Sequence, residues 1–315
     1  MTARQQKSHR HRRQTRKVWP LSVLAFVLAV AAASMLRVGP PVESRNAAWA
    51  EAGVPAPDVA ALVDALNPPA STPGLRRTLG EGGETAFIAL VIDDAGLSEA
   101  ATRRIIALPA EVTLAFLPYG ANSPALAREA AATGHDVILH MPMAPEGGGD
   151  PGPDALSPGL DAAENVARLT RALELFPMVI GVNNHMGSRM TRDANSMAPV
   201  LDAIGARGLI FLDSRTTPET VAGAMARARG LLALDRDVFL DNDMSAPAIG
   251  ERLAALELMA RQRSVAVAIG HPHEATLDAL EEWVKGLSAR GLRLVRLADA
   301  AAIRSLSIRP VALDR

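Results

Sequence analysis

Short apolar runs alternate along the chain with longer segments in which apolar residues recur every three or four positions. The segments with the three-to-four spacing predict amphipathic helices, and several of them end in a glycine suited to a helix C-cap. An alternation of strand and helix predicts a parallel sheet. Eight apolar runs predict the strands: TAFIALVID (85–93), EVTLAFLP (111–118), DVILHMPM (136–143), MVIGVNNHM (178–186), GLIFLDS (208–214), LLALDRDVFL (231–240), SVAVAIGHP (264–272) and GLRLVRLAD (291–299).

Polar groups capable of chemistry follow nearly every predicted strand. In α/β-barrels the active site is built from residues just after each strand, so these groups are expected at one mouth. An open doubly wound sheet would gather ligands mainly at a single switch point, and contributions from six or seven strands therefore favour a barrel. The groups are Asp93 with Asp94, Tyr119, His140, Asn183 with Asn184 and His185, Asp213 with Ser214 and Arg215, Asp241 with Asn242 and Asp243, and His271 with His273.

Composition limits the chemistry available to this site. The chain has 315 residues, of which 49% are hydrophobic, enough for one barrel-sized core or two smaller domains. Its net charge is -1, so no overall positive field argues for nucleic acid as a partner. Cysteine is absent, which excludes thiolate ligands and a cysteine nucleophile. Any metal must therefore be held by histidine or carboxylate.

The N-terminal region resembles an export signal. Seven basic residues precede Pro20, no acidic residue occurs before Glu43, and residues 20–36 are apolar and uncharged. This segment is either cleaved or retained as an inner-membrane anchor, and we expect a periplasmic or other extracytoplasmic location. Residues 37–83 are rich in proline and alanine and predict a linker. We therefore expect a signal or anchor at 1–36, a linker at 37–83, a barrel at 84–306 and a tail at 307–315.

Two adjacent carboxylates, Asp93 and Asp94, end the first predicted strand. If the strand continues through both, they point to opposite sides, so one can bind a cation while the other acts as a base. The alternative is that Asp94 or Ser98 caps the helix that begins near Glu99.

His140 and His185 end two neighbouring strands that would otherwise be buried. A single histidine in such a place is more often a core residue than a ligand. Two of them at equivalent strand ends, beside two acids, favour a site for a divalent metal with one carboxylate and two imidazoles as ligands. Such a metal would lower the pKa of water and supply a nucleophile at neutral pH.

Other polar residues at the strand ends are candidates for acid catalysis or substrate contact. His271 is placed to act as a general acid, whereas His273 begins the next helix and His135 is expected to be structural. The pair Asp213 and Arg215 either orients the base and holds substrate or forms a local ion pair. The remaining candidates for substrate contact or support of the ligands are Asn184, Ser188 and Arg189.

Five of these segments, IALVIDDAG, ILHMPMAP, GVNNHMGSRMT, IFLDSRTT and VAIGHPH, resemble in this order the divergent polysaccharide deacetylase family, a remote branch of the NodB-type carbohydrate esterases. The resemblance covers about residues 86–303. It implies a deformed (β/α) barrel of seven to eight strands, NodB-like, in an exported envelope protein.

The resemblance also implies roles for individual residues. VIDD resembles the T-F-D-D motif of the deacetylases, which gives Asp93 the role of base and Asp94 that of metal ligand. In their H-x-x-x-H-P motif His140 matches the first histidine, but Ala144 stands where the second belongs, and His185 resembles the replacement. AIGH resembles the late L-x-H motif and makes His271 the general acid. The R-x-P-Y and D-x-x-D-W motifs are not found.

These residues support three hypotheses. The first is a hydrolase that uses zinc or a similar divalent metal to remove an acyl group from an envelope polysaccharide or peptidoglycan. The second is an inactive barrel that binds glycan or a cell-wall partner through the same mouth. The third is a metal hydrolase of another bond preference, such as a peptidoglycan amidase. In each case contact with the membrane is expected through the N-terminal segment only.

Overall fold

The computed structural model describes residues 85–263 and 265–307, with side chains as far as Arg304. These residues form one parallel sheet covered by helices. The strands are β1 (Ala86–Ala95), β2 (Thr113–Phe116), β3 (Val137–Met143), β4 (Gly181–Met186), β5 (Ile210–Asp213), β6 (Ala233–Asp235), β7 (Val238–Phe239), β8 (Val265–Gly270) and β9 (Leu292–Leu294). The helices are α1 (Glu99–Ile106), α2 (Ser123–Ala132), α3 (Ala162–Leu175), α4 (Ala194–Ala206), α5 (Ala222–Ala228), α6 (Ala246–Arg263), α7 (Glu274–Trp283) and α8 (Leu297–Ser307).

All eight predicted strands are present, and one of them is divided in two. The run at 231–240 forms both β6 and β7, with Arg236 and Asp237 between them. The sheet order is β6-β5-β4-β3-β2-β1-β8-β7, and β9 pairs with the first residues of β1. β6 pairs with β5, and β7 pairs with β8. The run at 231–240 therefore supplies the strands at both ends of the sheet order. The sheet is therefore curled, and the prediction of a deformed (β/α) barrel is confirmed.

The two faces of the sheet carry separate apolar cores. Alternate residues such as Ile88 and Leu90 pack against the surrounding helices. The residues between them, such as Ala89 and Val91, form the barrel interior together with Leu297 and its neighbours on α8. Asp136, just before β3, accepts a hydrogen bond from the amide of Ala298 at 3.4 Å, which places α8 at the end of the barrel where the strands begin.

The interior face becomes polar where the strands end. In several strands, the same alternation leads to a polar residue two positions beyond the last interior apolar side chain. Five strands or strand ends contribute one such residue each, namely Asp93, His140, Ser214, Arg236 and His271. The end opposite α8 is therefore the polar mouth that the sequence predicts.

The predicted N-terminal segments lie outside the described residues. These are the signal or anchor at 1–36 and the linker at 37–83, and residues 308–315 of the predicted tail also lie outside. Within residues 85–263 and 265–307, no helix combines the length and apolar character needed to cross a membrane.

Candidate metal and catalytic site

A bulge at the end of β1 turns both carboxylates toward the same point. The pairing of β1 with β2 shifts between Ile92 and Ala95, and Asp94 has a φ of 56°. This left-handed conformation is uncommon outside glycine, and aspartate is one of the residues that tolerate it best. As a result Asp93 Oδ2 lies 3.6 Å and Asp94 Oδ1 lies 3.3 Å from Nε2 of His140. The expectation that the two carboxylates point to opposite sides is wrong, because a regular strand does not continue through them.

Asp94 also does not cap the helix that follows. The N-cap of α1 is Ser98, whose hydroxyl accepts a hydrogen bond from the amide of Ala101 at 3.3 Å. The Asp94 carboxylate is therefore free to take part in the site.

Asp94, His140 and His185 bring three ligand atoms to one point. Asp94 Oδ1 is 3.3 Å from His140 Nε2 and 3.2 Å from His185 Nδ1, and these two nitrogens are 3.1 Å apart. Bonds of about 2.1 Å in a tetrahedral zinc site separate neighbouring ligand atoms by about 3.4 Å. The triangle of ligand atoms is thus close to the size that a zinc ion requires.

The chemistry of the donors also fits a cation. Asp94 Oδ1 is buried and accepts no hydrogen bond from the residues that the structure describes. Burial raises the pKa of Asp94, but His140 and His185 outweigh it and hold that pKa well below its usual value. Burial likewise lowers the pKa of His140, and the charges of Asp93 and Asp94 outweigh it and raise that pKa. The position between these groups therefore favours a positive charge, which a divalent metal would supply.

Asn183 sets the protonation of His140. Its side-chain amide donates a hydrogen bond to Asp93 Oδ1 at 2.8 Å and another to Ser214 Oγ at 3.2 Å. The amide oxygen must then face His140 Nδ1, which lies 2.8 Å away and donates to it. With Nδ1 carrying the proton, His140 Nε2 has a lone pair free for a metal.

Asp93 has the properties of a general base. Its carboxylate is almost completely buried, at 2% exposure, and lies beside the ligand triangle. Burial raises the pKa of Asp93 above the value of an ordinary aspartate, although His140, His271 and Asn183 oppose the shift. A carboxylate with a raised pKa is a better proton acceptor.

His271 is held by the buried carboxylate of Asp241, which lies two residues after the end of the neighbouring strand β7. Its Nδ1 lies 3.0 Å from Asp241 Oδ1, and its backbone amide donates to Asp241 Oδ2 at 2.6 Å. Burial lowers the pKa of His271, but the hydrogen bond to Asp241 and the charge of Asp93 outweigh it and raise that pKa to about 9. His271 is therefore protonated at neutral pH, as a general acid must be.

A second group of possible ligands, Asp241, His271 and His273, fits a metal less well. Asp241 already accepts three hydrogen bonds, two from His271 and one from the Thr276 hydroxyl at 2.9 Å. A buried carboxylate with this many partners has less to gain from a cation than Asp94 Oδ1.

The other predicted site residues lie in different surroundings. The Asn184 side chain donates a hydrogen bond to the carbonyl of Met186 and accepts one from the amide of Ser214. The Asp213 carboxylate accepts a hydrogen bond from the amide of Gly223. Both side chains therefore stabilise loops. The Ser188 hydroxyl accepts a hydrogen bond from the amide of Glu146. Arg189 and Arg215 are exposed.

Tyr119 and His135 contribute no atom to the ligand triangle. Tyr119 packs against the loop residue Gly152, and burial together with the charges of Asp94 and Asp150 raises its pKa. His135 bonds to the carbonyls of Val112 and Ile106, which agrees with its expected structural role.

Sequence reasoning missed three residues of the mouth. Asn183 and Asp241 were noted only as polar strand ends, and Arg236 lies inside a run predicted to be one strand. One signal was available for Asn183, because it pairs with His140 across the parallel strands β3 and β4 and shares its face. Asp241 and Arg236 gave no comparable signal, because β7 has only two residues.

A family model described as divergent polysaccharide deacetylase matches residues 90–301. The chain belongs to this family. The match contains every predicted site residue, from Asp93 to His271. The resemblance read from the five sequence segments is therefore confirmed, and the chain has a deacetylase-like fold.

Three proteins that are similar to this deacetylase-family chain have names that state no activity. An uncharacterized protein from Haemophilus influenzae is 35% identical over 200 residues, which are 64% of this chain and 71% of that protein. Uncharacterized protein YibQ from Escherichia coli is 34% identical over 200 residues, 64% of this chain and 63% of that protein. The crystal structure of uncharacterized protein ATU2773 from Agrobacterium tumefaciens C58 superposes with a TM-score of 0.66 at 31% identity, covering 69% of this chain and 90% of that chain.

Proposed function

We propose that the protein is a metal-dependent hydrolase that removes an acyl group from an envelope polysaccharide or peptidoglycan. The observation that carries the proposal is the triangle of Asp94 Oδ1, His140 Nε2 and His185 Nδ1, with sides of 3.1 to 3.3 Å. Asp93 lies beside this triangle, and the charges of Asp93 and Asp94 act on His271, so base, metal ligands and acid share one mouth.

In this proposal Asp94, His140 and His185 hold zinc or a similar divalent cation. When bound, such a cation would supply Lewis-acid chemistry, which polarises an acyl carbonyl and favours ionisation of water. Asn183 keeps the proton of His140 on Nδ1 and positions the Asp93 carboxylate through a second hydrogen bond. Asp93 accepts the proton of the attacking water, and His271 donates its Nε2 proton to the leaving nitrogen or oxygen of the sugar. Asp241 keeps His271 oriented and protonated.

Family membership supports a glycan of the cell envelope as the substrate. The basic and apolar N-terminal segment, residues 1–36, supports an extracytoplasmic location, with residues 20–36 as a possible inner-membrane anchor. A net charge of -1 gives no support to nucleic acid as a partner.

The test is release of acetate from acetylated chitooligosaccharides and from acetylated peptidoglycan fragments by the zinc-loaded full chain. Asp93→Asn should lower the rate by about 100-fold or more while the metal is retained, because general-base catalysis contributes at least this factor. Asp202→Asn is the matched control, since it makes the same chemical change at an exposed carboxylate. Equal rates in all three proteins would contradict the proposed role of Asp93.

The second hypothesis, a barrel that binds glycan without turnover, draws support from the missing R-x-P-Y and D-x-x-D-W motifs. It predicts that Asp93→Asn leaves the biological function of the protein unchanged. Loss of that function in a folded, metal-loaded Asp93→Asn chain would favour the hydrolase.

A further inference from the structure

The Arg236 guanidinium is fixed in the wall of the mouth by uncharged groups. Its Nε donates to the carbonyl of Ser214 at 2.6 Å and its Nη2 donates to the carbonyl of Arg215 at 2.8 Å. The guanidinium carbon lies 4.7 Å from the centre of the Phe239 ring, in a cation–π contact. Its orientation is therefore set without a carboxylate partner.

Among the described residues, no carboxylate forms a direct ion pair with Arg236. In the described part of the chain, neither Arg236 nor Arg215 has a carboxylate oxygen within 4.0 Å, whereas the partly buried Arg296 and Arg304 are paired with Asp136 and Asp237. Asp237, which follows Arg236 directly, is occupied by Arg304 and Arg263. Burial lowers the pKa of Arg236 and the nearby charge of Arg215 lowers it further, although the charges of Asp93, Asp213 and Asp237 oppose this shift. Two guanidinium groups thus lie in one region, and among the described residues neither is directly paired with a carboxylate.

This region adjoins the catalytic groups. The Phe239 ring that contacts the guanidinium also lies 5.2 Å, between ring centres, from the imidazole of His271. The negative charge of Asp93 acts on Arg236 as well. A glycan held with its acyl group between Asp93 and His271 would therefore extend a neighbouring substituent toward Arg236.

We propose that Arg236, with Arg215 beside it, forms a subsite for a carboxylate on the glycan, so that the preferred substrate is a polysaccharide containing acidic sugars. A guanidinium presents parallel N–H donors that match the two oxygens of a carboxylate, and Nη1 of Arg236 is not used in the bonds to Ser214 and Arg215. This inference rests on the proposed function, because it places the glycan in the same mouth.

The competing role for Arg236 is structural. Its two hydrogen bonds tie the loop after β5 to the segment between β6 and β7, and a group that only joins these segments affects folding and every ligand alike. A subsite instead discriminates between an acidic sugar and its neutral counterpart. The test therefore measures discrimination.

The experiment titrates the full chain by calorimetry with two trimers that carry no acyl group. One is the β-1,4-linked trimer of glucuronic acid, and the other is cellotriose, which has a neutral hydroxymethyl group in place of each carboxylate. We expect the wild type to bind the uronate at least ten-fold more tightly at low salt. Arg236→Gln should weaken uronate binding at least ten-fold and change cellotriose binding by less than about two-fold. Arg128→Gln, the same charge change at an exposed position on α2, should alter neither.

Arg215→Gln provides a second variant in case Arg236→Gln does not fold. The backbone of Arg215 accepts a hydrogen bond from Arg236 and donates one to Asp213 Oδ1 at 2.8 Å, and the substitution leaves both in place. It should weaken uronate binding several-fold. Equal affinity of the wild type for the two trimers, or equal losses for both in the variants, would overturn the subsite.

These outcomes are separable from those of the hydrolase. If uronate binding depends on Arg236 but the protein releases acetate from no glycan, the subsite is supported and the proposed function is contradicted. If the protein releases acetate but binds the uronate no more tightly than cellotriose, the proposed function is supported and the subsite is contradicted.

Discussion

Replacing Asn183 with alanine removes the residue that joins the proposed base to a proposed metal ligand. The variant loses a charge-assisted hydrogen bond to Asp93 at 2.8 Å and a bond from His140 Nδ1 at 2.8 Å. It also leaves a carboxylate and an imidazole N–H buried without these partners. A hydrogen bond to a charged group contributes about 1.5–3 kcal/mol, and an unsatisfied buried donor costs about 1–3 kcal/mol. We therefore expect a loss of about 3–5 kcal/mol in the free energy of unfolding.

The same variant should bind zinc 10- to 100-fold more weakly, because hydrogen-bonded partners of metal-binding histidines contribute affinity of this order. The assays are urea denaturation of the metal-free chain and competition for zinc with a chromogenic chelator. Asn184→Ala is the matched control, since Asn184 is also buried but bonds to Met186 and Ser214 instead. It should lower stability by about 1–3 kcal/mol and leave zinc affinity unchanged. Equal zinc affinity in Asn183→Ala and Asn184→Ala would refute the reasoning.

Two further predictions concern pH and the loop after β1. Because Asp241 and Asp93 raise the pKa of His271 from 6.5 to about 9, the stability that this ion pair contributes is present below pH 6.5 and lost as pH rises through about 9. The difference in unfolding free energy between wild type and His271→Asn should therefore shrink between pH 7 and pH 10 in urea titrations, and a constant difference would contradict it. Gly96 has a φ of 96°, and a Cβ there would overlap Ser123 Oγ. Gly96→Ala should cost at least about 2 kcal/mol and weaken zinc binding, whereas Gly250→Ala, where a Cβ meets open space, should do neither.

Strand periodicity was enough to predict the barrel and several of the polar residues at its mouth. Parallel strands in a barrel end at one rim, so Asp93, His140 and His271 were predicted to converge although they are distant in sequence. The alternation of side chains also carries them onto the interior face. These features depend on local pattern and on topology, which a single sequence expresses directly.

The bulge at Asp94 could not be predicted in the same way. Its left-handed backbone depends on how β1 pairs with β2, and a sequence does not state the register of a pair. The partner of His271 was missed for a similar reason. Asp241 lies 30 residues away and reaches His271 only because the run after β6 crosses the barrel to pair with β8.

The prediction of a single strand at 231–240 is the reason that Arg236 was not recognised as a residue of the mouth. The run at 231–240 reads as one continuous strand, and its central charges read as interruptions of that strand. The structure shows that the run changes partner at Arg236 and Asp237, so that Arg236 faces the mouth while Asp237 pairs with Arg263 and Arg304. The strand with which a segment pairs is decided by the tertiary fold. The hydrophobic periodicity of the sequence therefore does not show where the pairing partner changes.

The measurement that tests the central claim most directly is the metal content of the full chain by elemental analysis after reconstitution with zinc and removal of excess metal. The account predicts about one zinc per chain in the wild type and in His273→Ala, an exposed histidine outside the ligand triangle, and little or none in His185→Ala. Absence of zinc from the wild type, or equal zinc in His185→Ala and His273→Ala, would contradict the proposed metal site and the hydrolytic mechanism built on it.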